Sequence, residues 1–166
     1  MTNTAPAVRI AHPPVSLLHA ANPFMRRFLR TPVAGSLRNQ MMVVDVAGRR
    51  TGRRYSIPLS AHRIDGVLYA MTSASWKANF RGGADARVLH DGRSTAVRGE
   101  LIDDGAVVGD LAHRAAQAYG LRRAQRMMGL KFCAGKIPTV TDFAALCERE
   151  HYFAIRFTPV AVPSRD

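Results

Sequence analysis

The sequence contains one short segment, AGRRTGRRYSIPL at residues 47–59, whose residue types could bind an anion. Glycine lets the backbone turn its N–H groups toward one point, and guanidinium groups form paired hydrogen bonds with phosphate and carboxylate. The segment therefore indicates either a solvated hairpin loop, which the residues alone slightly favour, or an anion-binding loop between two strands. Its glycines and arginines are Gly48, Gly52, Arg49, Arg50, Arg53 and Arg54.

The other reactive residue types form none of the common catalytic or metal-binding motifs. The arginine segment lacks both the Gly-Lys-Ser/Thr ending of a Walker loop and the G-x-G-x-x-G fingerprint. The six histidines show neither H-x-x-x-H nor H-E-x-x-H spacing, so no metal site is predicted. There is no G-x-S-x-G elbow, and Cys133 and Cys147 have no recognisable catalytic setting. The chain therefore either binds a ligand without chemistry or leaves the chemistry to a cofactor.

Composition limits the class of protein. The 166 residues suit a single domain over 1–166, with residues 1–20 and 159–166 expected to be frayed. The formal charge of +12 comes from 21 arginines and three lysines, which indicates either a GC-rich genome or an acidic partner. No apolar run is long enough to span a bilayer and no secretory signal is visible. We expect a cytoplasmic protein.

The elements that would position the arginine segment are mostly strands. A helix is predicted from Asn22 as N-cap through Arg30, and its basic amphipathic pattern suits either a cover over the sheet or contact with a membrane surface. Strands are predicted on both sides of the arginine segment, and Pro58 in the second strand indicates a sheet edge or a bulge. Asp-Gly pairs at Asp65 and Asp91 predict tight hairpin turns.

The rest of the chain completes an α+β pattern. A short helical stretch is predicted around Trp76, with Ser75 as its cap. Helices follow from Val107, with a short one at 142–148, and residues 152–160 form a last strand. About six strands joined by tight hairpins predict a mostly antiparallel barrel with helices packed on it.

The order of these motifs resembles the deazaflavin-dependent nitroreductase family, whose members have a split β-barrel fold. The family pattern is a strand, Gly-Arg-Arg/Lys-Ser/Thr-Gly, a strand with a Thr-Pro-like pair, a hairpin strand, and a Trp-x-x-Asn helix before a valine-rich strand. The matching residues here are Gly48 to Gly52, Ile57 with Pro58, and Trp76 with Asn79. The match covers roughly residues 22–102, and the closing strand fits as well.

The resemblance implies a cofactor, a reaction and a set of contacts. The cofactor is the 8-hydroxy-5-deazaflavin coenzyme F-420, whose reduced form delivers hydride to a quinone, nitroaromatic or activated alkene. Its phosphate and oligoglutamate tail are anionic, so the resemblance assigns them to Arg49, Arg50 and Thr51. The remaining contacts implied are Arg54, Tyr55, Ser56, Ile57, Pro58, Leu59 and Ser60 on one strand, Met71, Thr72 and Ser73 on the next, and Trp76 with Asn79 on the far side.

Departures from the family pattern leave alternatives open. Relatives often have arginine where this chain has Tyr55, and threonine where it has Ile57. Some relatives also carry a lysine in a longer loop before the tryptophan. FMN is the alternative cofactor, and a non-catalytic binder of a hydrophobic ligand is the alternative function, ahead of a nucleic-acid-binding domain. Ser60 and Tyr119 are the only candidates for a proton donor besides water, and the chain is expected to be a monomer or a homodimer.

Overall fold

A curled antiparallel sheet of seven strands forms the centre of the fold. The computed structural model describes residues 5–11 and 27–161. The strands of the sheet are β2 (Met41–Ala47), β3 (Arg54–Ser60), β4 (His62–Ile64), β5 (Val67–Thr72), β6 (Ala84–His90), β7 (Arg93–Ile102) and β9 (Phe153–Pro159). Their order in the sheet is β3-β2-β6-β7-β9-β5-β4. A separate pair consists of β1 (Val8–Ile10) and β8 (Leu130–Phe132).

The two edges of the seven-stranded sheet are joined by one residue. The edge strands β3 and β4 are consecutive in the chain, and only Ala61 lies between them. Ala61 is buried, and its N–H donates to the carbonyl of Gln40 at 2.8 Å. Residues of β3 also contact β5, although four strands separate them in the sheet order. The sheet therefore curls until its edges meet, and its concave face encloses a core.

The helices cover the convex face and the open end of this sheet. They are α1 (Leu37–Gln40), α2 (Gly105–Tyr119), α3 (Leu121–Met128) and α4 (Val140–Glu150), with 3-10 helices at Pro32–Ala34 and Ser75–Phe80. Asp104 caps α2 by accepting hydrogen bonds from the N–H groups of Ala106 and Val107. Thr139 and Asp142 form a capping box at the start of α4.

The core has two main parts on opposite faces of the sheet. The inner core lies on the concave face, and its members are Met42, Val44, Val46, Ala61, Ala70, Phe80, Ala86, Val88, Val97, Ile155 and Phe157. The helix core lies between the convex face and the helices, and includes Val8, Tyr69, Met71, Val108, Phe132, Phe143, Leu146 and Tyr152. Alternation along β5 sends Ala70 to the first and Met71 to the second.

Both predicted hairpin turns are present. Asp65 and Gly66 have positive φ values of 51° and 76°, and Asp91 and Gly92 have values of 50° and 74°. Positive φ at both central residues is the geometry of the two-residue turn that suits twisted antiparallel strands. Pro58 lies in β3, at an edge of the sheet, as its missing N–H requires.

Several sequence-based expectations need correction. The strand predicted after the arginine segment is divided into β3 and β4, and β1 and β8 were not predicted at all. Residues 8–10 are not frayed, because they pair with β8 and the side chain of Val8 is buried. The start of the predicted N-terminal helix at Asn22 lies outside the described residues, and its described part is helical only to Phe28. Ser75 does not cap its helix, since Ala74 is the N-cap and makes no side-chain bond.

Candidate functional site

The arginine loop, residues 48–53 between β2 and β3, is closed by its own backbone. The N–H of Gly48 donates to the carbonyl of Arg53 at 2.8 Å, and the N–H of Gly52 donates to the carbonyl of Gly48 at 2.9 Å. The two glycine N–H groups therefore do not point to a common anion, which corrects the sequence-based expectation. Gly48 instead lies close to a neighbouring ring, since a Cβ there would be 2.9 Å from Cε2 of Tyr55.

The loop is attached to the 3-10 helix that carries Trp76. The backbone N–H of Arg49 donates to Oδ1 of Asn79 at 3.0 Å, and its guanidinium donates to the carbonyl of Ala78 at 3.2 Å. Two motifs that are distant in sequence are thus joined at one place. Asn79 orients the loop, and the guanidinium of Arg49 is held against the helix. Arg50, Thr51 and Arg53 remain exposed at the surface of the loop.

The 3-10 helix is anchored in the inner core by Phe80. The Phe80 ring is fully buried and packs edge-on against Phe157, with ring centroids 5.7 Å apart, and against Trp76 at 6.2 Å. A Cβ on Gly99 would lie 2.4 Å from this ring, so β7 needs glycine there. Trp76 is half-buried and packs against the inner core. Its position at the edge of that core suits both an anchor and a wall of a binding site.

Strand β3 divides the predicted contacts between two faces. Tyr55 lies opposite the inward-facing Val46 in the strand register, and Ile57 and Leu59 pack against the inner core on that same face. The alternate side chains, Arg54, Ser56, Pro58 and Ser60, therefore face outward. The whole strand cannot present its side chains to one ring system. Only the inward set shares a face with Trp76.

Two residues of the outward set line a different surface. A groove of about 450 Å³ is lined by residues of β2, β3, β6 and β7, and Arg54 and Ser56 contribute to it. Tyr55, which is exposed near the start of β3, also borders this groove. The Ser56 hydroxyl donates to Oδ1 of Asp45 at 2.5 Å. Arg54 and Ser56 therefore face this outer groove rather than the side of the sheet that holds Trp76.

Strand β5 contributes less than the sequence predicted. The side chain of Met71 is buried in the helix core, so its assignment as a ligand contact is wrong for the side chain. Thr72 and Ser73 are half-buried at the end of the strand, and the Thr72 hydroxyl accepts from the N–H of Ala74 at 3.0 Å. These two residues lead directly into the helix of Trp76.

Lys77 is a cation that the sequence-based assignment did not include. Its ammonium group donates to the carbonyls of Ser73 at 3.1 Å and Ala74 at 3.2 Å, and lies 5.6 Å from the centroid of the Phe153 ring. Burial, and secondarily the charge of Arg81, lower the pKa of Lys77 below its usual value. Its position inside the Trp-x-x-Asn motif, directly after Trp76, was the available indication.

The electrostatics of this region favour an anion. Among the described residues, no ion pair includes Arg49, Arg50, Arg53 or Arg54. The guanidinium of Arg53 lies 5.9 Å from the centroid of the Tyr55 ring. This neighbour is aromatic and not acidic, so it does not neutralise the charge of Arg53. The arginine loop, Lys77, Trp76 and the inward side chains of β3 together form the candidate site. It combines a cationic rim with an apolar wall.

A second polar arrangement lies where β3 passes into β4. His62 is buried, and its Nδ1 lies 2.9 Å from the hydroxyl of Tyr119. Burial lowers the pKa of His62 from 6.5 to about 4, so the ring is neutral at physiological pH. Tyr119 is half-buried, and Arg123 lies 5.2 Å from its ring centroid. Ser60 and Tyr119 are thus at the end of β3 opposite to the arginine loop, away from the cationic rim.

Neither metals nor thiols add to the candidate site. Across residues 5–11 and 27–161, no group of His, Cys, Asp and Glu side chains could hold a metal ion. Cys147 is buried in the helix core, where burial raises its pKa to about 11. Cys133 is exposed and lies beyond β8. In the same ranges, no helix is long and apolar enough to cross a membrane.

Comparisons with known proteins give similarity only at the level of the fold. No protein-family model matches the sequence, and no curated protein matches it. Among solved structures, the fold is similar to that of the conserved hypothetical protein Rv2991 from Mycobacterium tuberculosis. That similarity has a TM-score of 0.46 and 14% sequence identity, and covers 84% of this chain and 80% of the other.

Proposed function

We propose that this protein is a deazaflavin-dependent oxidoreductase with a split β-barrel fold, which reduces a small hydrophobic acceptor. The observation that carries the proposal is the hydrogen bond between the Arg49 backbone and Asn79. It joins the Gly-Arg-Arg-Thr-Gly loop to the Trp-x-x-Asn helix, the two motifs on which the family resemblance depends. The curled antiparallel sheet with joined edges supports the split barrel.

The residues at the candidate site fit an anionic, partly aromatic ligand. The exposed guanidiniums of Arg50 and Arg53 suit a phosphate and a carboxylate-rich tail, since charge-assisted hydrogen bonds contribute about 1.5–3 kcal/mol each. The inward side chains of β3 and the Trp76 indole supply the apolar surface that a ring system needs. When bound, the reduced coenzyme supplies a hydride.

The roles of the protein side chains follow from their positions. Arg50 and Arg53 bind the anionic part of the coenzyme, while Asn79 holds the loop in place. Trp76 and Ile57 pack beside the ring and exclude water from one side of it. Lys77 lies on the indole-bearing helix itself, directly after Trp76, and its hydrogen bonds to the carbonyls of Ser73 and Ala74 fix the ammonium at the start of that helix. We propose that Lys77 compensates the negative charge of the coenzyme. Water supplies the proton that completes the reduction of the acceptor.

The proposal is tested by titrating the protein separately with deazaflavin coenzyme and with FMN while Trp76 emission is recorded. Trp76 is the sole tryptophan, so its fluorescence reports this site without other contributions. We expect saturable quenching by the deazaflavin coenzyme, little by FMN at equal concentration, and turnover of a quinone with the reduced coenzyme. If the coenzyme binds but no quinone, nitroaromatic or enone is reduced, the protein is a non-catalytic binder and not an enzyme. If FMN binds more tightly than the deazaflavin coenzyme, FMN is the cofactor.

Reversing one charge in the arginine loop should weaken coenzyme binding. We expect Arg50→Glu to raise the dissociation constant at least tenfold, about 1.4 kcal/mol, because an exposed guanidinium is replaced by a repelling carboxylate. Isothermal titration measures the constant. Arg93→Glu is the matched control, since Arg93 is also exposed but lies in the hairpin at the far end of β6 and β7. Equal affinities of the two variants would remove Arg50 from the site.

A further inference from the structure

Helix α3 and strands β8 and β1 lie side by side as one layer over the helix core. Strand β1 pairs with β8 along its whole length. On the other side of β8, the N–H of Phe132 donates to Oε1 of Gln125 in α3 at 2.9 Å. The inward side chains of the three elements all belong to the helix core: Val8, Ala124, Met128, Leu130 and Phe132. The opposite face of this layer therefore points to solvent.

That outward face is strongly cationic. We call it the basic layer; its exposed members are Arg9, Arg122, Arg123, Arg126 and Lys131. None of the three elements contains an acidic residue. No ion pair between described residues includes a member of the layer, whereas the surface arginines 81, 98, 114, 149 and 156 each pair with a carboxylate. The basic layer is thus a second surface of unpaired positive charge, besides the arginine loop.

Two of these cations are held directly opposite each other. The strand register places Arg9 across from Lys131. Like charges in this position destabilise a sheet, and an anion bound between them would reverse the sign of the interaction. They line a groove of about 460 Å³ with Glu150, and that carboxylate already lies 3.4 Å from Arg149. The layer therefore has more positive charge than its surroundings neutralise.

From this arrangement we propose that the basic layer binds membranes that contain anionic phospholipids. A broad face formed by a helix and two strands can contact many headgroups at once, and juxtamembrane cations each strengthen such binding. Leu121 begins α3 as an exposed apolar residue beside the arginines, which suits partial insertion between headgroups. A single-stranded nucleic acid would need aromatic rings on the surface for stacking. Tyr119, next to this face, is half-buried and has Arg123 over its ring.

Sedimentation with lipid vesicles tests the proposal. The full chain should bind mixed vesicles made of equal parts of phosphatidylcholine and phosphatidylglycerol. It should bind vesicles of pure phosphatidylcholine at least tenfold less tightly. The double variant Arg122→Glu/Arg126→Glu should lose more than about a hundredfold in partition coefficient, because each cation contributes roughly fivefold and each reversal also adds repulsion. Binding should fall as ionic strength rises.

A charge-matched control separates this face from the overall charge of the protein. Arg87→Glu/Arg93→Glu changes the net charge equally, but both residues are exposed on β6 and β7, outside the basic layer. We expect this control to lose less than about fivefold. An equal loss in both double variants, or equal binding to both kinds of vesicle, overturns the proposal. The proposal is also overturned if the protein binds duplex DNA or RNA more tightly than anionic vesicles and Arg122→Glu/Arg126→Glu abolishes this nucleic-acid binding.

Discussion

Replacing Phe80 with alanine should lower the free energy of unfolding by about 3–5 kcal/mol and release the helix that carries Trp76. The Phe80 ring is fully buried, and it contacts both Trp76 and Phe157 edge-on. Its removal leaves a cavity under the 3-10 helix, so the indole loses its neighbour on the protein side. We expect a red shift of Trp76 emission in the folded protein, together with a cooperative denaturation midpoint at lower denaturant concentration.

Phe143 offers a matched comparison for this variant. It is equally buried, but it lies on α4 in the helix core and packs against Phe132. Phe143→Ala should cost similar stability without changing Trp76 emission or coenzyme affinity. The leucine variants at both positions repeat the comparison with a smaller loss of apolar volume. If Phe80→Leu leaves the emission spectrum and the coenzyme affinity like those of Phe143→Leu, Phe80 does not position the site.

The local features of the fold could be predicted from the sequence because each depends on a few adjacent residues. The hairpins at Asp65 and Asp91 follow from Asp-Gly pairs that accept positive φ. The edge position of Pro58 follows from its missing N–H. By contrast, β1 and β8 have only three residues each, and their pairing depends on a contact across more than a hundred residues. No local pattern reveals such a pair.

The motifs of the candidate site could be predicted from the sequence, but the face of the sheet on which each side chain lies was predicted less well. The arginine loop and the Trp-x-x-Asn helix were both recognised, yet the bond from Arg49 to Asn79 is a tertiary contact that spacing alone cannot give. Met71 shows an error of another kind. Alternation along β5 already separates it from Thr72, and applying that period-two rule would have sent Met71 toward the helices. The same rule divides β3 between its two faces.

Acid should destabilise this protein through His62, beginning well above the range in which carboxylates titrate. In the unfolded chain the imidazole has its ordinary pKa of 6.5, whereas burial lowers the folded pKa to about 4. Above pH 6.5 the His62 imidazole is neutral in both the folded and the unfolded chain, so it does not lower the free energy of unfolding there. As pH falls below 6.5, only the unfolded state takes up the proton. The free energy of unfolding should then drop by about 1.4 kcal/mol per pH unit, or about 3 kcal/mol in total by pH 4.

The surroundings of His62 explain why the folded state resists protonation. Its Nδ1 lies against the Tyr119 hydroxyl, Tyr69 is opposite it on β5, and Arg123 lies over the Tyr119 ring, so no carboxylate faces it among these neighbours. His62→Gln keeps a polar partner for Tyr119 and cannot titrate. We expect the stability difference between this variant and the parent to shrink, or to reverse in favour of the variant, as pH falls from 6.5 to 4. His151→Asn, at an exposed histidine, is the control, and its difference should stay nearly constant. Parallel pH profiles for the parent and His62→Gln in urea denaturation would show that His62 is protonated in the folded protein as readily as in the unfolded chain.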